Sequence, residues 1–300
     1  MDPNIVILAA GLASRMKEPD RNAGLCDEHL ASEVTSKPKA MIGLGEGGRP
    51  FLDYLLLNAR DAGYRDAVLV IGENDPGTRD YYSSPAALSG FSGLNLSFIF
   101  QNIPEGRTKP PGTADALLRA LSHRTDWKGR KVTVCNGDNL YSVRALRLLR
   151  ESPGECSLID YDWETLGFDA SRAGQFAVIK RDRSGTVTRI IEKPSARERA
   201  NAADAGGRIG VSMNIFRFSY DTIMPILEAV PLHPERQEKE LAVAVMMLLE
   251  RAPGSVKAIP LSEYVPDLTY ARDVPKVQEF LRDNYSGPFR NFTIPKEVPR

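Results

Sequence analysis

The stretch Asn4-Ile-Val-Ile-Leu-Ala-Ala-Gly-Leu-Ala-Ser-Arg-Met16 decides the fold. Ile5–Leu8 reads as a buried strand: four apolar residues, three of them β-branched, ending in small residues. Small residues let the backbone approach a ligand, and exposed N–H groups can hold phosphate oxygens. Arg15 adds a fixed fork of donors suited to a polyphosphate. The spacing is neither a Walker A loop nor the GxGxxG dinucleotide fingerprint. The bland alternative is a tight turn with a surface arginine.

Outward from this strand, apolar runs alternate with helical spacing. Phe51, Leu52, Leu55, Leu56 and Ala59 mark a helix over Pro50–Ala62, which Gly63 is placed to stop. Ala67–Ile71, Leu94–Phe100 and Lys131–Cys135 read as further strands. Helices are expected over Thr113–Leu121, with Thr113 as N-cap, and over Ser142–Arg150. Strand–helix alternation at this spacing implies βαβ units and a mostly parallel sheet. After residue 155 the texture turns β-rich: Cys156–Tyr161, Gln175–Lys180, Val187–Glu192 and Ile209–Arg217 are strand-like. Helices follow over Tyr220–Ala229, Glu238–Glu250 and Asp273–Asn284, then a proline-bearing tail from Tyr285. One continuous domain over 1–300 is the simplest organisation: a first half to about 155, a second to about 284, and an extended tail. Lys17–Lys37 is a long polar connection, the kind that serves as a functional lid or floppy insertion.

The bulk numbers exclude several classes. The chain has 300 residues, with 39 Lys+Arg against 39 Asp+Glu. A net charge of zero argues against a broad basic surface for nucleic acid. The longest apolar run, Leu241–Leu249, falls short of the roughly 20 residues that span a bilayer. Cys26, Cys135 and Cys156 form no CxxC pair, so a reducing compartment fits, and with no signal peptide visible the cytoplasm is the expected location.

Four further motifs carry chemistry. Ser36-Lys-Pro-Lys39-Ala-Met places lysines where a phosphate could meet a point charge. Pro111-Gly112-Thr113-Ala-Asp115 opens a helix and offers backbone donors and a hydroxyl; an ordinary N-cap is the alternative. Asn136-Gly-Asp138-Asn139 puts an acid just past a buried parallel strand, where α/β sheets bind ligands, and a lone carboxylate there suits Mg²⁺. Ile191-Glu192-Lys193-Pro194 ends a strand with two charges.

In their order, LAAGLASRM, PKAM, PGTADAL, NGDN and EKP resemble the motifs of the sugar-1-phosphate nucleotidyltransferases, or nucleotide-sugar pyrophosphorylases. The resemblance spans about residues 4–250, and no C-terminal hexapeptide repeat is present. It implies a Rossmann-like, doubly wound mixed sheet of the nucleotide-diphospho-sugar transferase (GT-A-like) type, with an added β-rich sugar-binding section. It implies an enzyme in which a sugar 1-phosphate attacks the α-phosphate of an NTP and pyrophosphate leaves. By the resemblance, Leu8, Ala10 and Gly11 lie by the nucleobase and ribose, and Arg15 binds the triphosphate. Lys39, rather than Lys37, stabilises charge at the α-phosphorus. Gln101, Gly112 and Thr113 lie near the base, and Asp138 holds Mg²⁺ with Asn139 beside it. Glu192 takes sugar hydroxyls, Lys193 the sugar phosphate, and Asn214 lines the sugar pocket.

Three departures stand out. Ala13 replaces a usual glycine, and Lys17–Lys37 is longer than the usual connector. Val243 stands where the family carries a second metal carboxylate; either Glu238 or Glu240, one turn earlier, substitutes for it, or Mg²⁺ rests on Asp138 and the phosphates. A phosphorylated non-sugar alcohol such as phosphocholine is an alternative acceptor. A catalytically silent nucleotide-binding homologue, or a glycosyltransferase that consumes an NDP-sugar, is a competing class. A homo-oligomer is open through the tail, where Phe289, Phe292 and Ile294 can dock on the core or on a second subunit.

Overall fold

The computed structural model describes residues 1–11, 16, 28–167, 170–285 and 287. Arg15, Ala13, most of the Lys17–Lys37 connection and the tail apolar residues Phe289, Phe292 and Ile294 lie outside them.

The opening strand forms as read: β1 (Asn4–Leu8) is buried along nearly its whole length. It lies in the middle of the sheet, paired in parallel with β2 (Asp66–Gly72) on one side and β4 (Lys131–Asn136) on the other. β3 (Asn95–Gln101) extends this parallel half beyond β2. Past β4 the sheet turns antiparallel through β9 (Ile215–Ser219), then β5 (Cys156–Asp162), β8 (Gly210–Ser212), β6 (Ala177–Arg181) and β7 (Val187–Ile191). β10 (Val256–Leu261) pairs in parallel with β5. β5 and β10 therefore point the same way as β1 and β4, so their C-terminal ends meet at one edge of the sheet.

Strand alternation sends residues to two apolar layers. Ile5, Ile7 and Leu69 face α2 (Phe51–Asp61), α6 (Val143–Glu151) and α10 (Val274–Asn284). Val6, Val68 and Val70 face α5 (Thr113–His123), α8 (Tyr220–Ala229) and α9 (Leu241–Arg251). A sheet covered on both faces is what near-continuous apolar parallel strands require.

Four short helices fall in stretches without a clear apolar period: α1 (Glu28–Ser36), α3 (Pro76–Tyr82), α4 (Pro85–Gly90) and α7 (Ala196–Ala202). Three expectations are corrected. Ile209–Arg217 is not one strand, because Asn214 takes a left-handed φ of 53° and separates β8 from β9. The helix expected from Glu238 starts at Leu241. Thr113 is not an N-cap. Gly112 occupies that position with φ 101°, a conformation that L side chains rarely adopt. A Cβ there would also come within 2.5 Å of the Lys239 carbonyl oxygen.

A buried ion pair ties α2 to its surroundings. Asp53 is fully buried. It accepts from Arg49 Nη1 at 3.1 Å, Tyr81 Oη at 3.1 Å and Tyr82 Oη at 2.8 Å. Asp53→Leu removes the carboxylate from beside a buried guanidinium, and loss of one partner of a buried pair costs about 3–5 kcal/mol. Urea unfolding should show that loss, with the midpoint rather than the slope moving.

Candidate active site

The C-terminal edge of the parallel strands builds the site. β4 ends at Asn136, and Gly137 N–H then donates to the Leu8 carbonyl at 2.8 Å. That bond folds the chain over the end of β1 and presents Asp138. Lys39 sits on a short 3₁₀ turn over Lys39–Met41 that packs on α2. Its side chain is 10% exposed, and its Nζ lies 3.1 Å from Asp138 Oδ2. Lys37 instead pairs with Glu33 at 2.6 Å. The structure thus separates the two lysines of the Ser36–Met41 motif: Lys39 meets Asp138 and Lys37 meets Glu33.

A second carboxylate comes from a segment the sequence reading passed over. Beyond β10, Asp267 forms an isolated antiparallel bridge with Asn139, and Leu268 N–H donates to the Asp138 carbonyl at 3.0 Å. Asp267 and Asp138 line the same cleft, of about 120 Å³, with Asn136, Asn139, Arg172, Gln175, Ser212, Asn214 and Thr269. Only Phe176 and Met213 among its lining residues are apolar. Asp267 is 7% exposed and tightly held. Its Oδ2 accepts from Arg172 Nη2 at 2.7 Å and from the Thr269 hydroxyl at 2.6 Å; its Oδ1 accepts from Asn139 Nδ2 at 3.0 Å. Burial first, and the charge of Asp138 second, raise the Asp267 carboxyl above its ordinary range. Two carboxylates that repel each other across a polar cleft match the donor set Mg²⁺ prefers, one or two carboxylates completed by phosphates and water.

Neither Glu238 nor Glu240 lines that cleft. Glu240 is clasped by Arg236, with Nη1–Oε1 at 2.7 Å and Nη2–Oε2 at 2.8 Å. Val243 packs against the apolar layer of α9. Among the described residues, the second acid beside Asp138 is therefore Asp267.

The remaining candidates fall into two groups. Asn139 and Asn214 line the cleft, and Asn214 holds a left-handed backbone that is uncommon outside glycine. Asn139 is committed to Asp267 and to Tyr141, whose hydroxyl lies 3.3 Å from Asn139 Oδ1. Gln101, at the end of β3, is 3% exposed. Its Nε2 donates to the Gly112 carbonyl at 2.8 Å and to Asp115 Oδ2 at 3.0 Å. Both partners only accept, which fixes the amide orientation and leaves Oε1 as the end available to a ligand. The Thr113 hydroxyl accepts from Leu241 N–H at 2.9 Å and so docks the start of α9.

Glu192 and Lys193 follow directly on the end of β7, Lys193 with φ 46°. Glu192 faces Glu240 and Arg236, and desolvation followed by the charge of Glu240 raises its carboxyl. Ala10 and Gly11 continue from β1 at the same sheet edge, with Ala9 N–H on the Val70 carbonyl at 2.8 Å.

Comparison with known proteins defines the family and the fold. The nucleotidyl transferase family profile matches residues 33–264, and the chain belongs to that family. A glucose-1-phosphate adenylyltransferase of Koribacter versatilis is 28% identical over 209 residues, covering 68% of this chain and 49% of the relative. The bifunctional protein GlmU of Aquifex aeolicus is 29% identical over 147 residues, 49% of this chain and 24% of the relative. The chain thus spans half or less of the length of these two relatives. A crystal structure of UDP-glucose pyrophosphorylase complexed with UDP-glucose superposes with a TM-score of 0.69 at 16% identity, covering 94% of this chain and 99% of that one. That likeness shows the fold: a mixed α/β sheet of the nucleotide-diphospho-sugar transferase type. No described helix is long and apolar enough to cross a membrane.

Proposed function

We propose that the chain transfers a nucleotidyl group from an NTP to a sugar 1-phosphate, releasing pyrophosphate and forming an NDP-sugar. The observation that carries this reading is the pairing of Asp138 and Asp267 at the C-terminal sheet edge, with Lys39 on Asp138. Asp138 and Asp267 would hold Mg²⁺, which when bound neutralises the phosphates and stabilises charge developing at the α-phosphorus. Lys39 is recessed and preorganised, so its charge is available to the same phosphate without reorganisation. Arg15 would add a second cation to the triphosphate. The polar cleft around Asn214, Gln175 and Thr269 would orient the acceptor's hydroxyls, with Glu192 reserved for sugar hydroxyls and Lys193 for the sugar phosphate. The attacking phosphate is already ionised near pH 7, so no general base is needed, and positioning plus charge neutralisation supply the catalysis.

A cleft lined mainly by amides, hydroxyls and charges favours a hydroxyl-rich acceptor over phosphocholine, whose trimethylammonium group calls for an aromatic cage. Both substrates are cytoplasmic metabolites, and the buried free thiols Cys135 and Cys156 suit that reducing compartment. A pyrophosphate-release assay over a panel of NTPs and sugar 1-phosphates with Mg²⁺ tests the reading. Turnover with at least one pair is expected. Nucleotide binding without any pyrophosphate release would instead identify a silent homologue.

A further inference from the structure

We infer that Glu33 is a positioning residue for Lys39, an inference that rests on the role proposed above for Lys39. Glu33 lies on α1, inside the connection that makes this chain longer than its family pattern, and it is 7% exposed. Buried glutamates are uncommon unless paired. Its two oxygens grip both ends of the segment that carries Lys39. Oε1 lies 2.6 Å from Lys37 Nζ, and Oε2 accepts the Gly43 N–H at 2.7 Å. Between these points the chain makes its 3₁₀ turn, with Met41 N–H on the Pro38 carbonyl at 2.9 Å, and buries Ala40, Met41 and Ile42.

The sequence is shaped to this grip. A Cβ on Gly43 would come within 2.6 Å of the Gly48 carbonyl oxygen and 3.0 Å of Glu33 Oε2. Glycine is thus what lets the carboxylate reach the backbone. The same carboxylate holds the Lys37 ammonium at 2.6 Å. The helix therefore does two things at once: it anchors the turn and leaves Lys39 as the lysine at Asp138.

A double-mutant cycle separates this role from simple support of the fold. Misplacement of a charge-stabilising group by about 1 Å can cost up to 10²-fold in rate. Glu33→Ala is expected to lower kcat about 10-fold in the pyrophosphate-release assay, with the KM for NTP changed less than about threefold. In a Lys39→Ala background the same substitution should change kcat less than about twofold, because Glu33 acts through Lys39. Glu33→Gln keeps a carbonyl oxygen for the Gly43 N–H, so it should restore kcat to within about threefold of the unmodified protein. It also serves where Glu33→Ala does not fold. Equal losses from Glu33→Ala in both backgrounds, or an unchanged kcat, would overturn the inference. If Lys39→Ala alone keeps full activity, the role of Lys39 itself fails, and the inference with it.

Discussion

Asp138→Asn is expected to lower kcat by about 10²-fold or more while leaving the fold in place, since removing a preorganised charge-stabilising group has that effect. The substitution keeps the side chain's shape and leaves the backbone bond from Leu268 N–H to the residue 138 carbonyl intact. What it removes is the negative charge opposite Lys39 and beside Asp267. A neutral amide binds Mg²⁺ weakly compared with a carboxylate. The Asp138 side chain is 30% exposed, so the ion pair with Lys39 contributes only about 1 kcal/mol to stability. Thermal unfolding should therefore move little while turnover collapses. Measured kcat and KM with saturating Mg²⁺ decide the matter. Residual activity above about a tenth of the original contradicts Asp138 as the main metal ligand.

Why Asp138 was legible in the sequence and Asp267 was not has a physical answer. Asp138 follows Lys131–Asn136, an apolar run whose strand character is plain. An acid just past a parallel strand then stands out. Asp267 obeys the same rule, since β10 is a parallel strand ending at Leu261 on the same sheet edge. But β10 reads Val-Lys-Ala-Ile-Pro-Leu, and a proline demotes a run in any pattern reading. Pro260 is tolerated because, across the sheet, β10 pairs with β5 alone among the named strands. With β10 unread, Asp267 looked like one more acid in a proline-flanked loop.

The other differences have the same character. The parallel half of the sheet was legible because its strands are apolar on both faces. The break at Asn214 was not, because a single left-handed asparagine between Val211-Ser-Met213 and Ile215-Phe-Arg217 leaves no mark on the period. Helix α1 was hidden because it buries only Leu30, Glu33 and Val34, too few apolar positions to mark a helical period. Thr113 was read as a cap from its place before an apolar run. In the folded chain that hydroxyl is claimed by Leu241, a partner 128 residues away that no local pattern reveals.

Asp267→Asn should produce two separable losses. The first is structural. Asp267 Oδ2 takes two donors, Arg172 Nη2 and the Thr269 hydroxyl, and Oδ1 takes Asn139 Nδ2. An amide must turn its NH₂ toward one of these sides, so at least one donor-to-donor contact results in either orientation. Arg172 is itself 6% exposed and also meets Asp273 at 3.2 Å. Weakening this buried pair should cost about 3 kcal/mol, read as a fall in unfolding free energy. The second loss is catalytic. With one of the two facing carboxylates neutralised, kcat per folded molecule should drop about 10²-fold, and added Mg²⁺ should recover little of it. Activity measured well below the unfolding transition and normalised to folded protein separates the two. A lower melting point with kcat per folded molecule unchanged would mean that Asp267 serves Arg172 alone, and that Mg²⁺ rests on Asp138 and the substrate phosphates.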